Sequence, residues 1–361
     1  FSCCRNESTN SPKWQEGILI GLPNKCNASN RNAVPHTETT EVCSDFGGKH
    51  SMEWNRKHVF DLEDFSKDEI ETVLEVAKGY RESMKSTPAK TFDYLKGYTL
   101  MNMFFESSTR TRVSFELAGK RLGMHVVNFA SSASSLNKSE SVDDTIQTLD
   151  AMNLDAVVVR HSTIGTPQVV AANTRAAVIN AGDGTHAHPT QALLDLLTMA
   201  EMGIDFPRAH VAITGDILHS RVARSDVYGL TKLGAKVTLV GPPTLLPEEF
   251  ERLGVDICYD FDKIIPEVDV LYMLRIQKER MERAFFPTIG EYAKLYGLNE
   301  KRMAKAKPSV LVMHPGPVNR GVELQGAVMD GDRSFILEQV SCGLAVRMAL
   351  LQLCVGGWVT R

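Results

Sequence analysis

The sequence lacks an excess of positive charge and lacks long apolar runs. Its 361 residues include 40 basic and 44 acidic side chains, which gives a formal net charge of −4. A general nucleic-acid binder depends on a basic surface, so this balance argues against that class. No apolar run approaches the roughly 20 residues of a membrane span. We therefore expect neither nucleic acid nor membrane as a partner.

Cysteine is present, but without a metal-binding or disulfide pattern. The seven cysteines are scattered, and the spacing Cys-x-x-Cys is absent. An odd, scattered set in a long chain indicates reduced thiols, so we expect a reducing, cytoplasmic environment. Residues 1–51 are rich in Asn, Ser, Thr and Cys. We expect a disordered extension or a targeting remnant there, and the second case would favour an organelle such as the plastid.

The common signatures of nucleotide, metal and covalent catalysis are also absent. Neither GxxxxGK[ST] nor a GxGxxG after a strand occurs. His186 and His188 form an HxH pair, but we identify no acidic or thiol ligand beside them, and a catalytic zinc needs three protein ligands. The sequence shows no Ser-His-Asp order and no acidic dyad. We therefore predict no metal and no cofactor.

Apolar runs alternate with helical patterns along most of the chain, which is typical of an α/β fold with mostly parallel sheets flanked by helices. Strands are predicted at 98–105, 125–130, 155–160, 176–182, 210–216, 236–242, 255–260, 268–274 and 309–315. Helices are predicted at 66–84, 111–122, 141–152, 188–203, 220–234 and 339–354. We predict two domains, 52–187 and 188–336, with the C-terminal helix, 337–356, packing back on the first.

The stretch FFESSTRTRVSFE, at 104–116, concentrates hydrogen-bond donors where a strand becomes a helix. The N-terminus of a helix attracts anions. Ser108, Thr109 and Thr111 add hydroxyls, and Arg110 adds a guanidinium that matches phosphate geometry. A well-capped helix with exposed arginines is the alternative, although a cap needs only one hydroxyl. The stretch favours a phosphate site.

Other predicted strand ends carry cationic or amide side chains, where open α/β sheets collect ligands. These residues are Arg160, His188, Gln191, Arg221, Arg275 and Gln277, followed by the rigid Pro315-Gly316 turn. A pocket with so many arginines and no paired carboxylate suits one or two polyanionic small molecules. It indicates group transfer by positioning and charge stabilisation.

The stretches FFESSTRTRVSFE, HPTQALLD, RIQKER and HPGPVNRGVE resemble the carbamoyltransferase family, and the likeness runs from about Trp54 to Val355. The resemblance implies transfer of the carbamoyl group of carbamoyl phosphate to an amino acid. The HPTQ, RxQ and HPGP set is similar to members that use L-aspartate early in pyrimidine synthesis. The HCLP and SMG motifs of the ornithine branch are absent. A carbamoyltransferase for another amine, such as ornithine, and a non-catalytic subunit are the alternatives.

The resemblance also implies a role for each matching residue. The phosphate would be held by Ser108, Thr109, Arg110, Thr111 and Arg160. The carbamoyl oxygen would be polarised by the catalytic residues Arg110, Thr111 and His188. The carbamoyl NH₂ would be held by Gln191 and the carbonyls of Pro315 and Gly316. The aspartate carboxylates would be held by Arg221, Arg275 and Gln277. On this basis 52–187 is the carbamoyl-phosphate-binding domain and 188–336 the aspartate-binding domain.

The family further implies a homotrimer with shared active sites. A loop from the neighbouring subunit brings a Ser and a Lys to the substrates, and the matching residues here are Ser135 and Lys138, with Lys138 also near the aspartate. The family has Lys-Gly-Glu at this point, whereas this chain reads Lys138-Ser139-Glu140. Replacing Gly removes easy access to positive φ, so the loop path is expected to differ.

Overall fold

The computed structural model describes residues 54–86, 91–130, 142–277 and 288–356. Its strands are β1 Thr99–Phe104, β2 His125–Ala130, β3 Ala156–His161, β4 Ala177–Asp183, β5 His210–Thr214, β6 Lys236–Val240, β7 Asp256–Cys258, β8 Val270–Met273 and β9 Leu311–Met313. Its α-helices are α1 Lys67–Ser86, α2 Thr109–Arg121, α3 Val142–Asp150, α4 Thr166–Ala172, α5 Pro189–Glu201, α6 Arg221–Lys232, α7 Phe261–Ile264, α8 Ile289–Tyr296, α9 Glu300–Met303, α10 Gly326–Met329 and α11 Ile336–Leu351.

The strands form two parallel sheets, with orders β2-β1-β3-β4 and β7-β6-β5-β8-β9. In the first sheet Leu100 lies opposite Ala156, and in the second Val211 lies opposite Val270. In the first sheet the chain passes from β1 outward to β2 on one side, and from β3 outward to β4 on the other. The second sheet has the same arrangement about the neighbours β5 and β8. Such switch points are where open α/β sheets bind ligands, at the carboxyl ends of the strands. The predicted α/β class is confirmed.

Each predicted strand run overlaps an observed strand, and β3 and β4 extend one residue beyond the predicted ends. The runs of the inner strands are mostly apolar because helices cover both faces of a parallel sheet, so successive side chains are buried whichever way they point. All seven residues of β4 are buried. The helix α4 was not predicted from sequence. It has seven residues and begins after Gly165, at φ +83°, and one of that length shows too few turns for a period of 3.6 to be visible.

Two helices lie between or beside the sheets and join them. Eleven of the 13 residues of α5 are buried, and α5 packs against α1, α6 and α11. The helix α11 packs against α1, α2 and α5, so the predicted return of the C-terminal helix onto the first sheet's helices is confirmed. One hydrophobic core contains Val158 of the first sheet, Val211 of the second and Val346 of α11.

One helix passes the length and composition test for a membrane span, although it contains no uninterrupted apolar run of that length. Ile336–Gly356 is long and apolar enough to cross a membrane by length and composition, and 61% of its most apolar window is buried inside the fold. Polar residues, including Gln339 and Arg347, interrupt the apolar sequence of this helix. Its burial against three other helices is that of a core helix.

A buried arginine ties the ends of these helices together. Arg81 of α1 contacts Glu201 at the end of α5 and Glu338 in the first turn of α11, each at 2.7 Å, and also donates to Ser341. The predicted domain boundary between residues 187 and 188 stays a prediction. Residues 1–51, where we expect a disordered or targeting extension, lie outside the described residues.

Candidate active site

The carboxyl ends of the strands at both switch points face one cavity of about 630 Å³. Every described residue that the sequence assigned to substrate binding or catalysis lines it. These are Ser108, Thr109, Arg110, Thr111, Arg160, His188, Gln191, Arg221, Arg275, Gln277, Pro315 and Gly316. The fold thus brings together residues as distant in the chain as Ser108 and Gly316. Ser135 and Lys138 lie outside the described residues.

The start of α2 forms one side of the cavity, where the sequence predicts a phosphate site. Ser108 is the residue before the helix, with φ −156° and ψ 93°, and its side chain makes no capping hydrogen bond. The first backbone N–H groups of a helix have no partner within it, so they are available to an anion. Arg110 is exposed to the cavity, and partial desolvation together with the nearby Arg275 lowers the pKa of its guanidinium. The capped-helix alternative is not supported, because the hydroxyl does not cap.

Glu106, which sequence reasoning did not assign, holds two of the predicted substrate-binding arginines. Its Oε2 lies 3.2 Å from Nε of Arg160 and 3.0 Å from Nη2 of Arg221. Arg160 follows a register shift between β3 and β4, and its Nη1 donates to the carbonyl of Ala181 at 3.2 Å. The available sequence signal for Glu106 was a carboxylate two residues after β1 and just before the arginine-containing stretch. Glu106 fixes one guanidinium from β3 and one from the start of α6.

Gly182 provides the space that Arg221 occupies. Gly182 has φ +119°, and a Cβ built there would lie 2.8 Å from Cζ of Arg221. The same guanidinium donates to the carbonyl of Gly184 at 3.3 Å. Side chains rarely adopt this φ, and the close approach excludes a Cβ. Glycine is therefore required at position 182 for two separate reasons.

The start of α5 presents His188 and Gln191 to the cavity. His188 precedes the helix and Pro189 occupies its first position, where proline is well suited. The backbone N–H of His188 donates to Oγ of Ser225 at 3.0 Å, and that hydroxyl donates to the buried Asp61 at 2.6 Å. Hydrogen bonds to α6 and to the loop before α1 therefore fix where α5 begins.

The segment after β8 carries Arg275 and Gln277 into the cavity. The backbone N–H of Gln277 donates to Oδ2 of Asp216 at 3.3 Å, and its Nε2 donates to the carbonyl of His219 at 3.2 Å. His219 in turn lies 2.8 Å from Oδ1 of Asp216. A buried carboxylate after β5 thus positions the loop after β8, across the switch point.

The loop after β9 is held by the side chain of His314. Burial lowers the pKa of His314, so its ring is neutral, and Nδ1 accepts from the backbone N–H of Gly316 at 2.7 Å. Nε2 then carries the proton and faces Oε1 of Glu323 at 3.4 Å. This contact sets the direction of the peptide groups of Pro315 and Gly316.

Further residues line the cavity without having been predicted from sequence. They are Ser107, Ser114, Leu194, Ser220, Val222, Leu274, His314, Pro317, Ile336, Gln339, Val340 and Arg347. Arg347 is the fifth arginine. Burial lowers its pKa to about 10, which the charge of Asp195 opposes. The lining contains five arginines and, among the described residues, no carboxylate. Gln339 and Arg347 could have been suspected from sequence, because they are polar residues in a largely apolar helix.

One reason given against a metal site is corrected by the structure. Nδ1 of His186 lies 3.1 Å from Oδ2 of the buried Asp183, so an acidic side chain does lie beside the HxH pair. The same contact raises the pKa of His186. Across 54–86, 91–130, 142–277 and 288–356, no group of three or more His, Cys, Asp or Glu side chains could hold a metal ion.

Comparison with known proteins identifies relatives over nearly all of the described chain. The family profile "Aspartate/ornithine carbamoyltransferase, carbamoyl-P binding domain" matches residues 57–201, and "Aspartate/ornithine carbamoyltransferase, Asp/Orn binding domain" matches residues 208–354. The aspartate carbamoyltransferase catalytic subunit of Granulibacter bethesdensis is 52% identical over 301 residues, covering 83% of this chain and 95% of that protein. The subunit of Syntrophus aciditrophicus is 48% identical over 305 residues, covering 84% and 99%.

Solved structures give the same result for the fold. Aspartate transcarbamoylase from Trypanosoma cruzi in complex with carbamoyl phosphate and aspartate superposes with a TM-score of 0.75 at 31% identity, covering 85% of this chain and 98% of that one. The same enzyme with N-(phosphonacetyl)-L-aspartic acid (PALA) gives 0.75 at 33% identity, covering 82% and 94%. Ornithine carbamoyltransferase from Pyrococcus furiosus gives 0.75 at 29% identity, covering 85% and 100%.

Proposed function

Because the chain belongs to the aspartate/ornithine carbamoyltransferase family, we propose that it transfers the carbamoyl group of carbamoyl phosphate to the amine of L-aspartate. The products are N-carbamoyl-L-aspartate and phosphate. The observation that carries the choice of aspartate is the lining of the cavity. Five arginines and no described carboxylate line it, which suits one phosphate dianion and an amino acid with two carboxylates.

Carbamoyl phosphate occupies the half of the cavity beside α2. The backbone and hydroxyls of Ser108 to Thr111 hold the phosphate, and Arg160 adds a guanidinium from β3. Arg110, Thr111 and His188 surround the carbamoyl oxygen, which gains negative charge during attack. Donors already fixed in place stabilise that charge without having to reorganise, and this is the main source of the rate acceleration.

L-aspartate occupies the half beside β5 and β8. Arg221, Arg275 and Gln277 hold its two carboxylates and aim its amine at the carbamoyl carbon. The amine nitrogen forms a bond to that carbon, the carbon–oxygen bond to phosphate breaks, and the nitrogen loses a proton. No described carboxylate lines the cavity to accept the proton. The departing phosphate is a base in the same space and accepts it.

The alternatives differ in the product they give. The side-chain ammonium of ornithine would find arginines where it needs a carboxylate, and like charges repel. A non-catalytic subunit would form no product with either amine. A colorimetric assay for carbamoylated amino acids, run with carbamoyl phosphate and either aspartate or ornithine, separates the three. We expect product with aspartate only, and product with ornithine alone would refute the proposal.

Arg110→Ala tests the phosphate and oxyanion side. Loss of one oxyanion donor costs roughly 3–4 kcal/mol of barrier, or about 10²–10³-fold in kcat. We expect nearly complete loss of turnover. Arg112→Ala, on the same helix but outside the cavity lining, is the matched control and should retain most activity. Equal activity of the two variants would contradict the role of Arg110.

We also propose a homotrimer in which Ser135 and Lys138 reach the cavity of a neighbouring subunit. Family membership supports this assembly. Native mass spectrometry and light scattering should give three chains per particle. Mixing Arg110→Ala chains with Lys138→Ala chains should restore activity, because some sites would then contain both residues. Full activity in a monomer would refute the shared site.

The remaining part of the proposal concerns pathway and compartment. A carbamoylated aspartate is a precursor in pyrimidine synthesis, and the cysteines Cys258, Cys342 and Cys354 are free thiols, as suits a reducing compartment. We propose a cytoplasmic enzyme, or a plastid enzyme if residues 1–51 act as a transit peptide. Fluorescent fusions with and without 1–51 distinguish the two, because only a transit peptide would change the location.

A further inference from the structure

A carboxylate that does not line the cavity lies directly behind it. Asp195 is fully buried on α5, one helical turn after Gln191. It accepts hydrogen bonds from Oη of Tyr272 at 2.6 Å and from Nε2 of Gln339 at 2.6 Å, and Nε2 of Gln191 lies 3.1 and 3.2 Å from its two oxygens. The three donors come from β8, α11 and α5. Each of these elements contributes to the cavity or leads into it.

The contact with Asp195 decides which end of the Gln191 amide faces the substrate. A carboxylate can only accept hydrogen bonds, so it binds the nitrogen end of an amide. The nitrogen of Gln191 is committed to Asp195, and Gln191 lines the cavity. The carbonyl end is therefore presented to the substrate. The Gln191 carbonyl can accept a hydrogen bond from the NH₂ of a carbamoyl group. In the opposite orientation the Gln191 NH₂ would face the carbamoyl NH₂, and two donors cannot form a hydrogen bond.

The same carboxylate also orients the loop after β9 through Gln339. The Nε2 of Gln339 donates to Asp195, which leaves its Oε1 to accept from the backbone N–H of His314 at 2.9 Å. His314 begins the turn whose next carbonyl belongs to Pro315. One buried anion thus fixes the amide of Gln191 and the start of this turn together.

The surroundings of Asp195 include two other ionisable groups. Asp226 of α6 is fully buried beside it, and burial with the charge of Asp195 raises the pKa of Asp226 well above its usual range. Burial also raises the pKa of Asp195, to about 7, and its hydrogen bonds from Tyr272, Gln339 and Gln191 oppose that rise. Two neighbouring carboxyls cannot both ionise in a dry interior, so Asp226 holds the proton, and Asp195 is the acceptor above about pH 7. The guanidinium of Arg347 contributes favourable charge from α11.

We propose that Asp195 is a positioning residue for the carbamoyl group: it presents the Gln191 carbonyl and the turn after His314 as paired acceptors for the carbamoyl NH₂. The inference rests on the proposed function, since it concerns the same substrate. It makes Asp195 a determinant of selectivity between an NH₂ group and a methyl group of the same size.

The test is Asp195→Asn, which keeps the shape and removes the charge. An Asn has a donor of its own, so the Gln191 amide can turn its nitrogen to the cavity. Acetyl phosphate carries a methyl group where carbamoyl phosphate carries NH₂. We measure the dissociation constants of both compounds by calorimetry without aspartate. The preference of the wild-type chain for carbamoyl phosphate should fall by roughly tenfold in the variant, the worth of one hydrogen bond.

PALA provides the control, because it has no amino group in the place of the carbamoyl NH₂. The variant should bind PALA within about twofold of the wild type, which also demonstrates that it is folded. Should Asn not be accommodated, Asp195→Ser removes the carboxylate without adding bulk, and the same outcomes apply. An unchanged preference would overturn the inference, as would parallel losses for PALA and carbamoyl phosphate. Failure of the wild-type chain to make carbamoyl-aspartate would instead refute the proposed function.

Discussion

Gly182→Ala should damage aspartate binding without contacting the substrate. The new Cβ would lie 2.8, 2.9 and 3.0 Å from Cζ, Nε and Nη1 of Arg221. Ordinary contact needs about 3.4 Å or more, so the guanidinium must move by roughly half an ångström. Its contacts with Gly184 at 3.3 Å and Glu106 at 3.0 Å would lengthen. The displaced Arg221 guanidinium would then form poorly aligned hydrogen bonds with an aspartate carboxylate.

The expected size of the effect follows from the bonds that are weakened. Charge-assisted hydrogen bonds contribute about 1.5–3 kcal/mol, so the KM for aspartate should rise roughly 10- to 100-fold. An alanine at φ +119° adds about 1–3 kcal/mol of backbone strain. Steady-state kinetics with aspartate as the varied substrate, and urea unfolding, measure the two effects separately.

Gly97→Ala is the matched control for backbone strain. Gly97 has φ +91°, and a Cβ built there meets nothing within 4 Å. It should lose a comparable amount of stability while keeping the wild-type KM for aspartate. If Gly182→Ala changed the KM no more than Gly97→Ala does, the argument from the Arg221 contact would be refuted.

Three further predictions concern binding, stability and pH. Arg275→Ala should raise the KM for aspartate 10- to 100-fold while affinity for inorganic phosphate stays within about twofold, and unchanged aspartate kinetics would contradict the assignment. Arg81→Ala should lower the free energy of unfolding by about 3 kcal/mol, because the partly buried Glu201 is left without its partner. Arg208→Ala, which breaks an exposed pair, should cost less than about 1 kcal/mol. Hydrogen bonds from Arg302 and Lys305 lower the pKa of Asp262 to about 2. The ionised carboxylate therefore stabilises the fold fully above about pH 4, and this stabilisation is lost as the pH falls toward 2. In acid titrations Asp262→Asn should have a flatter stability curve over that range, and an identical curve would contradict the prediction.

The sequence was informative where local pattern decides the outcome. Buried strands such as β3 and β8 are mostly apolar on both faces, so their runs identify them without knowledge of their neighbours. The donors at 108–111 were visible because they follow a strand directly. Family resemblance, rather than spacing, assigned the carbamoyl phosphate and aspartate roles.

The parts that escaped prediction depend on contacts between distant residues. Tyr272 and Gln339 meet Asp195 from 77 and 144 positions away, and no local pattern indicates such a meeting. Glu106 appeared to be an ordinary acidic residue until the fold brought Arg221 to it. The short helix α4 offered too few turns for a period to be visible.

The position of α11 has a consequence for synthesis on the ribosome. The helix completes the packing of α1 and α2 and provides Gln339 and Arg347 to the cavity. It is translated after every strand of both sheets, on the order of ten seconds after β4 at ordinary elongation rates. During that interval the apolar sides of α1, α2 and α5 await their partner. Until α11 has been made, the nascent chain therefore has neither a finished core nor a finished cavity.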